Sequence, residues 1–301
     1  MLFVVFVVIS SSSEAGVNVY NQLLKKFTAW AQSRDDIRAV ILVGSGARSD
    51  HPADQWSDLD LMIYSNQPEQ YLTRMNWMAK IGDVWIALAS HTSRNDAEYL
   101  VTFAGGYNVD FVFNPYVQLE EAVRDGIIPY GHWRGARVIV DKSGLAAKSI
   151  PTHFKPPTQP LPNQAEFLWV VNAFFYTAFY MAKMLRRGDL VMVKQRDADL
   201  KRALIQMIEW HARGADPRLD TWHNGRNMQE WADPYAWKAL QKTYAHFDAE
   251  DSWQALLDSL ELFRLLSLET ASRLDFSYPI KIEQNTTQLI TRLYNGKSLE
   301  E

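Results

Sequence analysis

A cluster of prolines divides this chain into two unlike halves. Pro151, Pro156, Pro157, Pro160 and Pro162 fall in one short stretch. Proline fixes its own φ and carries no N–H donor, so such a stretch is neither helix nor central strand and reads as a stiff linker or crossover. Strand signals lie before it and vanish after it. With 301 residues the chain is long enough for two domains. The expected fold class is α+β, with a mixed sheet and flanking helices at 17–150, the proline linker at 151–162, and a helical bundle at 163–295. The first sixteen residues, MLFVVFVVISSSSEAG, are expected to be a leader or the remnant of an upstream start. Their apolar run is too short to span a bilayer and lacks the basic flank of a secretory signal.

Composition narrows the partners. Apolar residues make up 47% and charged residues 22%, a globular balance. The net charge is -4, with 16 acids and 13 bases in residues 1–150 and 19 and 18 in the remainder. No basic half or tail exists to track a nucleic acid backbone, so none is expected as partner. Cysteine is absent, which removes disulfides and thiolate sites and suits the cytoplasm. The seven histidines include no H-x-x-x-H pair, so no zinc centre is expected. No membrane association is expected, and the protein reads as a monomer or homodimer. There is no internal repeat.

Periodicity sets the elements. Tyr20, Leu23, Leu24, Phe27, Trp30 and Ala31 fall at helical spacing. Residues 37–43 are a β-branched run, expected as a strand buried on both faces. Further strands are expected at 59–64, 84–89, 100–103, 107–113 and 136–140, with Gly105-Gly106 as a hairpin turn. Helices are expected at 67–79 and 119–125. Beyond the linker, 167–187 is apolar nearly all round and should be buried. Leu200, Leu204, Met207, Ile208 and His211 mark a helix at 199–212. Trp253, Leu256, Leu260, Phe263 and Ser267 mark a longer one and read as core.

One stretch resists a purely structural explanation: VGSGARSDHPADQWSDLDLMIY, residues 43–64. Asp58 and Asp60 open a strand, where aspartate is disfavoured and costly to bury alone. Alternate strand residues share a face about 6–7 Å apart, and two such charges repel by roughly 3 kcal/mol at an effective dielectric of 20. A hard divalent cation removes that cost. Mg2+ typically keeps waters and completes its shell with substrate phosphates, which predicts a metal–nucleotide site. Gly44 and Ser45 end the preceding strand, where glycine permits a sharp turn and the amides and hydroxyl can hold phosphate oxygens. Arg48 adds a positive charge. The Walker pattern is absent. Asp110 lies in the otherwise apolar 107–113 strand and supplies a third acid, as metal ligand or as base.

Together these residues resemble the nucleotidyltransferase superfamily and, within it, the aminoglycoside 6-adenylyltransferases, the streptomycin-modifying enzymes. Residues 37–45, IRAVILVGS, are similar to that family's opening motif. Asn108-Val109-Asp110 with Pro115 resembles its third-carboxylate strand. Glu166-Phe167-Leu168-Trp169, Ala182-Lys183, Met207-Ile208-Glu209-Trp210 and Asn224-Gly225-Arg226-Asn227 resemble landmarks of its helical domain. The resemblance implies Mg2+-dependent transfer of AMP from ATP to a hydroxyl of a cationic aminoglycoside. It implies that Asp58, Asp60 and Asp110 form the metal and catalytic set, and that Gly44, Ser45 and Arg48 meet the phosphates. Lys183 would reach the nucleotide from the helical domain, and Glu166, Trp169 and Asp199 would meet the acceptor. Two departures stand out. Gly46 follows Gly-Ser where the family commonly carries Arg, and the interval from Glu166 to Lys183 is long.

Plainer readings accompany several of these. Lys183 can snorkel along an apolar helix. Glu166 suits a helix first turn and Trp169 suits packing. Asp197 and Asp199, among Arg196, Lys201 and Arg202, read as a solvated helix start. Residues 222–226 read as a turn. A protein or another small molecule as acceptor, or a silent nucleotide-binding module, are the competing functions.

Overall fold

The computed structural model describes residues 12–155, 159–222 and 224–298. Most of the expected leader, together with Pro156, Pro157 and His223, lies outside these residues. The chain separates into two compact units, Met1–Pro157 and Thr158–Glu301.

The first unit is built on a six-stranded sheet. Helix α1, Ser12–Gln32, begins inside the segment expected as a leader and buries Leu23, Phe27, Trp30 and Ala31. Strand β1, Ile37–Val43, is buried at every position but Arg38, as its unbroken apolar run requires. After β2, Leu59–Ser65, the expected helix at 67–79 breaks in two. Helix α2 covers Glu69–Thr73, Arg74 is extended, and a 3-10 turn covers Met75–Lys80. Packing accounts for the break. It carries Trp77 into the core, where its ring stacks on Trp30 at 4.9 Å and its N–H donates to the Tyr71 carbonyl.

Strands β3, Val84–His91, and β4, Ala97–Phe103, are longer than expected, and β5 runs Tyr107–Pro115. Gly105 and Gly106 turn β4 into β5 at φ of 91° and 83°, a backbone region that glycine enters freely. Helix α3, Tyr116–Arg124, strand β6, Arg137–Asp141, and helix α4, Leu145–Ser149, complete the unit. The sheet order is β3-β4-β5-β2-β1-β6. β2 and β5 run parallel, and the other neighbours are antiparallel.

The two faces of this sheet differ. One packs Val40, Leu42, Leu61, Ile63, Val109 and Phe111 against α1. The other is covered over β1 and β2, where Ile41, Val43 and Tyr64 meet Tyr116, Leu119 and Ala146. Strand alternation puts Asp60, Asp110 and Leu100 on this second face, at the end where that cover stops.

The second unit is helical. Helix α5, Gln164–Arg187, starts with a capping box between Asn163 and Glu166 and stops at Gly188, whose φ is 74°. Its apolar composition was expected to bury it all round, but Trp169 and Tyr176 are 72% and 74% exposed. They are seven residues apart and so share an outer stripe, while Phe167, Val171, Phe174, Phe175 and Ala178 face inward. By length and composition α5 could cross a membrane, yet half of its most apolar window is packed inside this unit.

Helix α6, Leu190–Ala215, is capped by Asp189, so Asp197 and Asp199 sit mid-helix and not at its start. The charged segment before Leu200 hides the apolar repeat there. Helices α7, Met228–Trp231, and α8, Pro234–Leu240, lead to α9, Ala249–Leu274, and α10, Ile280–Tyr294. Phe174 of α5 stacks on Phe263 of α9 at 3.7 Å, near the centre of the bundle.

Candidate active site

The site is assembled by strand register. Val43 pairs with Asp60 across β1 and β2, and Asp60 pairs with Asp110 across the parallel β2–β5 ladder. One rung of the sheet therefore runs from the Gly-Ser turn through two aspartates, although Asp60 and Asp110 are distant in sequence. Neighbouring strands lie about 4.8 Å apart, and adjacent parallel residues point to the same face.

Gly44 begins a 3-10 turn over Gly44–Gly46 with φ of 65°. A Cβ added there would lie 2.0 Å from Asp60 Oδ2, so the carboxylate occupies the space a side chain would need. Glycine is demanded at 44 twice, by backbone conformation and by the approach of Asp60. Gly46 is different. A Cβ there would meet only Leu42, at 3.4 Å.

Asp110 makes no hydrogen bond or ion pair among the described residues. Burial, then repulsion from Asp60, Asp58 and Glu98, pushes its carboxyl up to about 7. Glu98 was missed in the sequence because 95–98, Asn-Asp-Ala-Glu, reads as loop, whereas β4 begins at Ala97. Glu98 pairs with Val112, which places it diagonally from Asp110 on the same face. Asp58 precedes β2 and is exposed.

The expected three-carboxylate metal set is not closed. Among the described residues no three His, Cys, Asp or Glu side chains are gathered closely enough to hold a metal ion. Asp60 and Asp110 nonetheless fit a cation that takes the rest of its shell from water and phosphate. They are adjacent hard oxygen donors, and burial, then the neighbouring acids, favours the protonated form of Asp110, which a cation would reverse.

The remaining candidates take varied positions. Arg48 Nε donates to the His51 carbonyl at 2.8 Å, so its guanidinium serves its own loop. That loop lies against Gly135, where a Cβ would meet the Arg48 backbone at 2.6 Å. Within the helical unit, Lys183 rests over the rings of Phe179 and Tyr180, at 4.9 and 5.5 Å. Glu166 accepts the Asn163 N–H at 2.8 Å. Asp199 is paired with both Arg196 and Arg202. A cleft of about 950 Å3 lies in this unit, lined by Glu166, Arg202, Glu209, Trp210, Arg213 and Trp222 among others. Neither Trp169 nor Asp199 lines it. Glu209 and Trp210 in its wall stood out in the sequence only as part of a family landmark, with no role attached.

Comparison with known proteins identifies the family. The family model described as streptomycin adenylyltransferase matches residues 17–293. The chain is similar to the aminoglycoside 6-adenylyltransferase of Campylobacter jejuni, with 24% identity over 277 residues, covering 87% of this chain and 91% of that one. It is similar at 22% identity to the enzyme of the same name from Bacillus subtilis (strain 168), covering 86% and 92%. The crystal structure of an aminoglycoside 6-adenyltransferase from Bacillus subtilis aligns over 90% of this chain and 97% of that one, at 18% identity and a TM-score of 0.44. Because the family model spans nearly all of the described sequence, this chain belongs to the streptomycin adenylyltransferase family and is a nucleotidyltransferase.

Proposed function

We propose that the protein transfers AMP from ATP to a hydroxyl of an aminoglycoside such as streptomycin and releases pyrophosphate, in the cytoplasm where ATP is supplied. The observation that carries this reading is the rung joining the Gly44 turn, Asp60 and Asp110. It brings a turn able to bind phosphate beside Asp110, whose carboxyl burial and neighbouring acids push up to about 7.

In this reading Gly44 and Ser45 hold the β- and γ-phosphates through amides and a hydroxyl. Arg48 steadies the same loop. Asp58 and Asp60 hold Mg2+, and Asp110 completes the set as third ligand or as the base for the attacking hydroxyl. When bound, Mg2+ supplies charge neutralisation at the phosphate oxygens. Lys183 contributes a cation from the helical unit, and Glu166 and Trp169 meet the acceptor. Asp199, already ion-paired, acts by positioning Arg202 at the cleft.

Purified protein with Mg-ATP and streptomycin is expected to release pyrophosphate and yield drug heavier by one AMP unit, read by mass spectrometry. No adduct across a broad aminoglycoside panel, with ATP still bound, would remove the acceptor assignment. Asp110→Asn separates its two roles. A ligand role raises the Mg2+ concentration needed for activation, and a base role flattens the pH profile at unchanged Mg2+ demand.

A further inference from the structure

Residues 125–136 connect α3 to β6, and the proposed reaction gives them no role. They cross the second face of the sheet and end against the Gly44–Gly46 turn. Three contacts place them. The Arg94 guanidinium, from the turn between β3 and β4, lies over the Tyr130 ring at 4.8 Å. Gly131 has φ of 91°, and a Cβ there would lie 3.1 Å from Met62 Sδ and 4.0 Å from Val43 Cγ1. Met62 shares the face of Asp60, two positions before it on β2, and Val43 pairs with Asp60.

The third contact is the tightest. Gly135 has φ of 155°, and a Cβ there would lie 2.6 Å from Arg48 Cα and 2.7 Å from Arg48 N. Main chain meets main chain, so no flexible side chain can give way. Arg48 lies two residues beyond the Gly44–Gly46 turn. Any shift of residue 135 is therefore passed to the turn.

His132 anchors the segment between its two glycines. It is fully buried, and its Nδ1 reaches the Ser149 carbonyl, at the end of α4, at 3.4 Å. Its Nε2 has no hydrogen-bond partner among the described residues. Burial keeps the ring neutral, with its pKa pulled down to about 4. A half-satisfied imidazole in the interior costs free energy that an apolar side chain would not. What the ring provides is a fixed seat on α4, whose Ala146 packs in one cluster with Ile41 and Val43.

We infer that residues 131–135 form a strap that fixes the Gly44–Arg48 turn, with Gly135 as its point of contact and His132 as a positioning residue. The strap acts through the turn and not on the phosphates. The inference rests on the proposed function for the turn's phosphate role. It goes beyond that reading by naming residues outside the turn that set nucleotide affinity. A misplacement of about 1 Å in such a turn is enough to lose productive contact.

Two readouts test this, amide hydrogen exchange over residues 44–48 in the ligand-free chain, and steady-state kinetics with Mg-ATP and streptomycin. Gly135→Ala is expected to speed exchange over 44–48 about tenfold and to raise the KM for Mg-ATP about tenfold, with kcat and the KM for streptomycin within about twofold. His132→Gln should show the same pattern at about threefold. Gly126→Ala is the control. Its φ is 67° and its Cβ would meet nothing within 4 Å, so it carries a backbone penalty without touching the turn. A purely structural loss lowers the amount of folded enzyme, and with it apparent kcat, but leaves KM alone. Unchanged exchange over 44–48 in Gly135→Ala, or equal effects in Gly126→Ala, overturns the strap. Should Gly135→Ala not fold, the same readouts in His132→Gln decide. Faster exchange with an unchanged KM for Mg-ATP keeps the strap and removes the turn's phosphate role. The expected exchange pattern in a chain that forms no adduct keeps the strap and removes the proposed transfer.

Discussion

The helical unit and the β2–β5 rung of the sheet handle buried charge in opposite ways. In the helical unit, charges taken out of water have partners. Lys201, 4% exposed, meets Asp197 at 2.5 Å, and Glu283, 5% exposed, meets Arg264 at 2.7 Å. His211 meets Glu269 at 2.7 Å. In the sheet unit, Asp110 has like charges for neighbours and no hydrogen bond or ion pair among the described residues. A fold that needed only stability would not keep that arrangement, since an apolar side chain would cost nothing there. Paired charges hold the bundle together. Unpaired ones mark where a ligand is to bring the missing charge.

This contrast can be broken by removing one acid from each unit. The largest effect is expected in the bundle. Asp197→Ala strands the ammonium of Lys201 in the interior, where burial already lowers its pKa and Asp197 is the main group opposing that. Removing one partner of a buried pair costs about 3–5 kcal/mol, and denaturant midpoints would show it. A midpoint shift near zero would mean that Lys201 needs no partner.

Next come the proposed metal ligands. Asp58→Asn and Asp60→Asn are each expected to lower turnover about a hundredfold or more, roughly 3 kcal/mol of transition-state stabilisation, with circular dichroism unchanged. Wild-type rates in either variant would displace that residue from the site.

Gly44→Ala is expected to cost about 1–3 kcal/mol of stability, because it meets both the positive φ and the Asp60 carboxylate. The same methyl displaces Asp60, a proposed metal ligand, so activity should fall with it. Gly46→Ala, which meets only Leu42, serves as the control and should stay within about 0.5 kcal/mol.

The smallest effect has the opposite sign. Asp110 keeps its proton to about pH 7 in the folded chain, well above an ordinary carboxyl. The folded state therefore binds more protons than the unfolded one between about pH 4 and 7, and stability is lost as pH rises through 7. Asp110→Asn should then stabilise the metal-free protein at pH 8 by about 1–2 kcal/mol after allowance for solvent screening, and by almost nothing below pH 4. Melting curves at the two pH values, with chelator present, measure this. A destabilised variant at pH 8 would mean that Asp110 is compensated in the fold.

How much of this was legible before any coordinates depends on what each segment had to satisfy. Strand β1 was read to the residue, because burial on both faces leaves a continuous β-branched run with no other use. The Gly105-Gly106 turn was equally plain. The break at Arg74 was not, because the gain that drives it, Trp77 against Trp30, lies across the fold. Helix α5 was read as buried all round because hydropathy does not report that Trp169 and Tyr176 share one outer stripe. At the site, the three aspartates stood out through their conflict with local propensity. Glu98 did not, because a glutamate among polar residues conflicts with nothing until the strand beneath it is known.

The parallel junction of β2 with β5 sets the timing of assembly. Asp60 and Asp110 become neighbours only after the chain has made the intervening β3–β4 excursion and returned. Such a long-range closure is slow compared with the local contacts of a helical bundle. A nascent chain released before residue 107 would carry both Asp58 and Asp60 yet lack the strand that brings Asp110 beside them.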